Sequence, residues 1–74
     1  KPAIYPTMTN GEINIAIPGG EEVRLKIFSV AGELISEYNI AYSSAIDLKD
    51  LVNGWYLIRL ENANFSEIFR VLKI

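Results

Sequence analysis

Turn-forming residues punctuate this chain at short intervals: Asn10-Gly11, Pro18-Gly19-Gly20, Ala31-Gly32, Tyr42-Ser43-Ser44, Asn53-Gly54 and Asn62-Ala63-Asn64. Glycine and asparagine tolerate positive φ, so each cluster is a place where the backbone can reverse. The stretches between them are rich in β-branched and aromatic residues, and none sustains the i, i+3, i+4, i+7 repeat of an amphipathic helix. What remains is a set of short strands joined by tight turns, the pattern of an all-β sandwich or barrel.

Seven strands are predicted. The first covers residues 3–5, held short by Pro2 and Pro6, which cannot donate to a ladder. The second, 12–17, places Ile13, Ile15 and Ile17 on one face. The third, 22–30, sets Val23, Leu25 and Ile27 against Arg24 and Lys26 on the opposite face, so one side is core and the other is wet. A turn at Val30-Ala31-Gly32-Glu33 folds it back into a fourth strand, 34–41. A short fifth strand, 44–48, leads into a helical turn or tight corner at 48–52, where Leu48 and Leu51 fall on the same side. The sixth strand is 55–61 and the seventh 65–74. Seven strands of this kind make an immunoglobulin-like antiparallel β-sandwich.

Seventy-four residues form a single domain, 1–74, near the lower limit for independent folding. No cysteine is present, so strand packing alone must stabilise it. Nine acidic and seven basic residues give a net charge of −2, scattered without a Lys/Arg cluster, which argues against nucleic acid as a partner. No apolar run approaches the ~20 residues of a membrane-spanning helix, and no charged-then-apolar leader pattern opens the chain. The domain is expected to be a portion of a larger secreted protein.

The commonest catalytic and metal-ligating residues are missing, because the chain has neither histidine nor cysteine. Its serines therefore lack an activating partner of either kind. Asp47 and Asp50 frame the corner and read as caps for backbone N–H groups. Glu21-Glu22 reads as a charged turn, and no stretch is dense enough in oxygen ligands for calcium. Asn64-Phe65-Ser66 matches a glycosylation sequon, a pattern short enough to arise by chance. No catalytic residue, metal or cofactor is assigned, and the expectation is a recognition module, not an enzyme.

The sixth strand carries the strongest local signal. Asp50-Leu51-Val52-Asn53-Gly54-Trp55-Tyr56 resembles the corner that leads into the sixth strand of immunoglobulin-like domains, where a tyrosine turns inward and bonds back to the corner backbone. Tyr56, Ile58 and Leu60 then face the core, while Trp55, Leu57 and Arg59 face the other way.

Four segments in this order are similar to the type A C-terminal sorting domain of the type IX secretion system. Ile4-Tyr5-Pro6 with Asn10-Gly11-Glu12-Ile13 resembles the opening of that family. The run from Val23-Arg24-Leu25-Lys26-Ile27-Phe28 through Ala31-Gly32-Glu33-Leu34-Ile35 resembles its central hairpin. Ile46-Asp47-Leu48-Lys49-Asp50-Leu51 followed by Gly54-Trp55-Tyr56-Leu57-Ile58-Arg59-Leu60 resembles its corner and Gly-x-Tyr strand, and Arg70-Val71-Leu72-Lys73-Ile74 its basic ending. Two departures stand out: Thr7-Met8 where the family has Asn-Pro, and Trp55 where an aliphatic residue is usual.

The resemblance implies an address label. Such a domain guides a fused N-terminal cargo through the periplasm to an outer-membrane translocon, with a shuttle protein and a sortase-like cysteine protease as partners. The protease removes the domain near or upstream of Lys1, and the cargo is secreted or attached to anionic lipopolysaccharide on the surface of a Gram-negative bacterium. Under this reading Tyr5, Pro6, Gly11, Gly32, Asp50, Gly54 and Tyr56 are structural. Trp55, Leu57, Arg59, Arg70, Lys73 and Ile74 are the candidate partner surface, and the last strand is a candidate edge for weak self-association. The alternatives are an accessory module that contacts carbohydrate through Trp55 and Tyr56, or a passive spacer.

Overall fold

The computed structural model describes residues 2–74. Eight strands appear in chain order: β1 (Ala3–Tyr5), β2 (Met8–Thr9), β3 (Glu12–Ala16), β4 (Val23–Ser29), β5 (Leu34–Ile40), β6 (Ser43–Asp47), β7 (Gly54–Glu61) and β8 (Ser66–Lys73). Seven correspond to the expected strands, with ends shifted by at most one residue. The eighth, β2, was not expected, and it raises the count above the seven of the sequence reading.

The strands form two sheets, one ordered β1-β3-β6 and the other β2-β8-β7-β4-β5. All pairings are antiparallel except that of β2, which runs parallel to β8. The two sheets face each other across one core. Ile4, Ile13, Ile15 and Ile46 come from the smaller sheet; Val23, Leu25, Ile27, Tyr56, Ile58, Leu60 and Val71 come from the larger. Each is the inward member of a period-two alternation, so the pattern that forms the strand also selects its buried face. Full burial of such side chains stabilises a fold by roughly 1.5–3 kcal/mol apiece. In a chain without disulfides that burial is the main favourable term.

The connections explain how the sheets are joined. Between β1 and β2 the chain passes from the small sheet to the large one through Tyr5 and Pro6, whose peptide bond is cis. The turn after β2 is tied by Thr9, whose buried hydroxyl accepts from the Gly11 N–H and donates to the Glu12 carbonyl. The Gly11 carbonyl in turn accepts from the Leu48 N–H, fixing this turn to the end of β6.

The β4–β5 hairpin closes with the Gly32 N–H on the Ser29 carbonyl, and Gly32 sits at φ 89°, in the region that favours glycine. Gly20, at φ 69°, has a second reason for its identity: a Cβ there would run into the Tyr42 ring, which lies against it.

Residues 48–52 form a tight corner, closed by the Leu51 N–H on the Leu48 carbonyl. Asp47 caps it, its Oδ1 accepting from the Lys49 N–H at 2.9 Å. Asp50 does not share that role. It is exposed, and no bond to its carboxylate holds the turn among the described residues, because the acceptor two positions ahead of the free N–H is Asp47.

Strand β5 is largely exposed on both faces. Three strands are too few to cover five, so β5 overhangs: Tyr38 shares a face with the buried Leu25 opposite it yet stays 41% exposed.

Candidate functional site

The outer face of the larger sheet is built by alternation on three neighbouring strands. On β7 the outward residues are Trp55, Leu57 and Arg59; on β8 they are Ile68, Arg70 and Leu72; on β4 they are Lys26 and Phe28. The register sets Trp55 opposite Leu72, Leu57 opposite Arg70 and Phe28, and Arg59 opposite Ile68 and Lys26. Met8 joins beside Leu72 through the β2 pairing.

At one end of this face the charges neutralise one another. Lys26 Nζ lies 3.4 Å from Glu61 Oε2, Arg59 Nη1 lies 3.5 Å from Glu61 Oε1, and Arg24 Nε lies 3.1 Å from Glu37 Oε2. Partly exposed pairs of this kind contribute at most about 1 kcal/mol each, so they set polarity more than stability. Beside and beyond these charges the face is apolar and open, at Ile68 next to Arg59 and at Trp55 toward the Gly54 end. Trp55 is 50% exposed and Ile68 59%, although both lie on the sheet and not in a loop. Contiguous exposed apolar surface on a small domain is a feature shared with protein interaction sites.

Two guanidinium groups lie over the aromatic rings of this face. The Arg59 Cζ stands 5.2 Å from the centre of the Phe28 ring, and the Arg70 Cζ stands 5.8 Å from that of Trp55. Each contact is a diagonal across adjacent strands, within the distance at which a cation is held by the ring's π-electrons. Arg59 also has Glu61, whereas no carboxylate is paired with Arg70 among the described residues.

Two hollows open between these side chains. One, of about 180 Å³, is bounded by Phe28, Gly32, Leu57, Arg59 and Ile68. The other, of about 450 Å³, is bounded chiefly by Met8, Trp55, Ile68, Arg70 and Leu72. Ile68 borders both, and neither it nor Met8, Phe28 and Leu72 was singled out by the sequence reading. The signal that could have found Ile68 is the alternation Ser66, Ile68, Arg70, Leu72, which follows once β8 is put in register with β7.

The structure brings Trp55, Leu57, Arg59 and Arg70 together and separates the other two candidates. Lys73 is buried, 6% exposed, with its Nζ donating to Asn53 Oδ1 at 3.2 Å. Parity puts it on the inner side of β8, opposite Gly54, so its ammonium serves the fold and is not offered to a partner. Ile74 is exposed at the far end of β8, where its N–H bonds to the Thr9 carbonyl. That bond, with a second from the Leu72 N–H to the Thr7 carbonyl, also corrects the view of the last strand as a bare edge. Strand β2 covers its C-terminal end.

Tyr56 is buried, and its hydroxyl donates to the Val52 carbonyl at 2.6 Å, the expected bond across the corner. It offers no ring to a sugar, which leaves Trp55, with Arg70 over its ring, as the exposed aromatic of the carbohydrate reading. Tyr5 is exposed at the crossing between the sheets, and Asn64 lies exposed in the β7–β8 turn. That turn is held by Asn62, whose Oδ1 accepts from the N–H groups of Asn64 and Phe65. Glu21 approaches the same turn, accepting from Asn64 Nδ2 at 3.4 Å. No group of three or more acidic side chains could hold a metal among the described residues.

No curated protein matches the chain. The family model of the secretion system C-terminal sorting domain matches residues 3–73, nearly its whole length and all eight strands. The chain therefore belongs to the C-terminal sorting domains of the type IX secretion system, a non-catalytic targeting family that sends a protein out across the outer membrane.

Proposed function

We propose that the outer face of the larger sheet is the surface by which the secretion machinery reads this address, with Trp55, Leu57, Arg59 and Arg70 at its centre and Ile74 at its margin. The supporting observation is the cluster of exposed Trp55 and Ile68 around half-buried Leu57, overlain by arginines, on strands whose opposite face carries the core residues Tyr56, Ile58, Leu60 and Val71. Aromatic and arginine side chains of this kind carry much of the binding energy of protein interfaces.

The readers are the translocon, the shuttle protein and the sortase-like protease, met after transit through the periplasm. The protease then separates the domain from the N-terminal cargo, which is released or fixed to the cell surface. The two-layer arrangement and the bond from Tyr56 to the corner support an immunoglobulin-like sandwich as the fold.

The test fuses the domain to a periplasmic reporter in a bacterium with this secretion system. Trp55→Ser with Leu57→Ser should trap the reporter in the periplasm while the domain melts as before. Val30→Ser, at a still more exposed apolar residue in the β4–β5 turn, should be exported normally. Export of the Trp55/Leu57 variant at the parental level would reject the reading.

A further inference from the structure

Strand β8 has a neighbour along only part of its second edge. Strand β2 pairs with Leu72 and Lys73 and stops there, because the preceding chain leaves for the smaller sheet through Tyr5 and Pro6. The backbone parity is fixed by the bonds from the Leu72 and Ile74 N–H groups to Thr7 and Thr9. Residues 68 and 70 share that parity, so their N–H and C=O groups point along the same edge, where no strand lies beside them among the described residues.

The edge adjoins the read face directly. Ile68 and Arg70 stand on it, and the larger hollow opens against it. Charge decides what fits. Among the described residues, Arg24, Lys26, Lys49 and Arg59 each have a carboxylate and Lys73 has an amide, whereas Arg70 is held by the Trp55 ring alone. Strand β5 is the other open edge of this sheet, but it lies two strands away from Trp55 and its nearest cation, Arg24, is already paired with Glu37.

We infer that the edge of β8 at residues 66–70 takes up an extended segment of a partner protein as an added strand, with an acidic side chain of that segment meeting Arg70. Backbone hydrogen bonds to residues 68 and 70 supply affinity, and Ile68 with the Arg70 guanidinium supplies specificity. This rests on the outer-face reading and gives it a geometry: the partner continues the sheet in the line that β2 begins and lays alternate side chains over Trp55 and Ile68.

The test separates the edge from the face. In the reporter fusion, Ile68→Pro removes the outward N–H without touching the ladder to β7, and Ile68→Val keeps it. Export is expected to fall about tenfold or more for Ile68→Pro and for Arg70→Glu, and to stay at the parental level for Ile68→Val. If Ile68→Pro melts without a cooperative transition, a photoreactive phenylalanine analogue at position 68 of the otherwise intact fusion decides. It should crosslink, in living cells, to a secretion-system segment containing Asp or Glu, and replacing that acid by Lys should restore export of Arg70→Glu.

Crosslinking to a second copy of the chain, or crosslinking from position 35 on β5 and not from 68, overturns the inference. So does parental export of a folded Ile68→Pro. Should Trp55→Ser with Leu57→Ser block export while Ile68→Pro does not, strand addition fails and the face reading stands. Should the Trp55/Leu57 variant itself be exported, the face reading fails first.

Discussion

Lys73 Nζ donates to Asn53 Oδ1 at 3.2 Å, and this bond joins the end of the last strand to the corner before β7. The ammonium leaves water for an amide, while its four-carbon stem lies along the edge of the core. Because Asn53 is itself exposed, removing the ammonium returns the amide to solvent and leaves no buried orphan. Lys73→Met should therefore unfold in urea within about 1 kcal/mol of the parent. Lys73→Ala, which also loses the stem, should cost about 1–2 kcal/mol.

Tyr56 makes the second tie to that corner. Its hydroxyl and the Val52 carbonyl are 2.6 Å apart, and the ring is buried among core residues. Tyr56→Phe keeps the packing and loses the bond, for an expected loss of about 1–2 kcal/mol. Denaturant unfolding checks this, with the midpoint lowered and the slope unchanged.

Backbone conformation gives a third expectation. Gly32 sits at φ 89° with nothing within 4 Å of the place a Cβ would occupy, so Gly32→Ala incurs conformational strain alone. The loss should be about 1 kcal/mol in a thermal melt. Gly20→Ala should cost more, because it meets φ 69° and the Tyr42 ring together.

Removing residues 70–74 is the obvious way to inactivate a sorting signal, and here it should act by unfolding. The deletion takes out Val71, which is wholly buried, and both bonds to β2. For a fold whose net stability is about 5–15 kcal/mol, that loss should abolish the cooperative transition seen by circular dichroism. Deleting Ile74 alone should leave the domain folded, since it ends one bond to Thr9 and no core contact.

The inward faces were legible because they obey one rule. Ile13 and Ile15, Val23, Leu25 and Ile27, and Tyr56, Ile58 and Leu60 alternate strictly, and all are buried. The outward Trp55, Leu57 and Arg59 followed from the same count. Strand β2 could not be read this way. Two residues between Pro6 and Asn10-Gly11 carry no period, and Met8 and Thr9 become a strand because β8 lies beside them. Nor could the exposure of Tyr38, since it depends on how many strands the opposite sheet has. The burial of Lys73 depends on its parity within β8, which the register with β7 fixes and composition does not.

The two bonds from β8 to Thr7 and Thr9 join the start of the domain to its finish. Contacts so distant along the chain pay the largest loop-closure entropy and form late. No fragment that lacks its final strand can complete the larger sheet or assemble the face on which Trp55, Ile68 and Arg70 meet. The fold thereby works as a check on its own completeness: that face exists only once β8 has been made, and a domain cut short before that strand presents none.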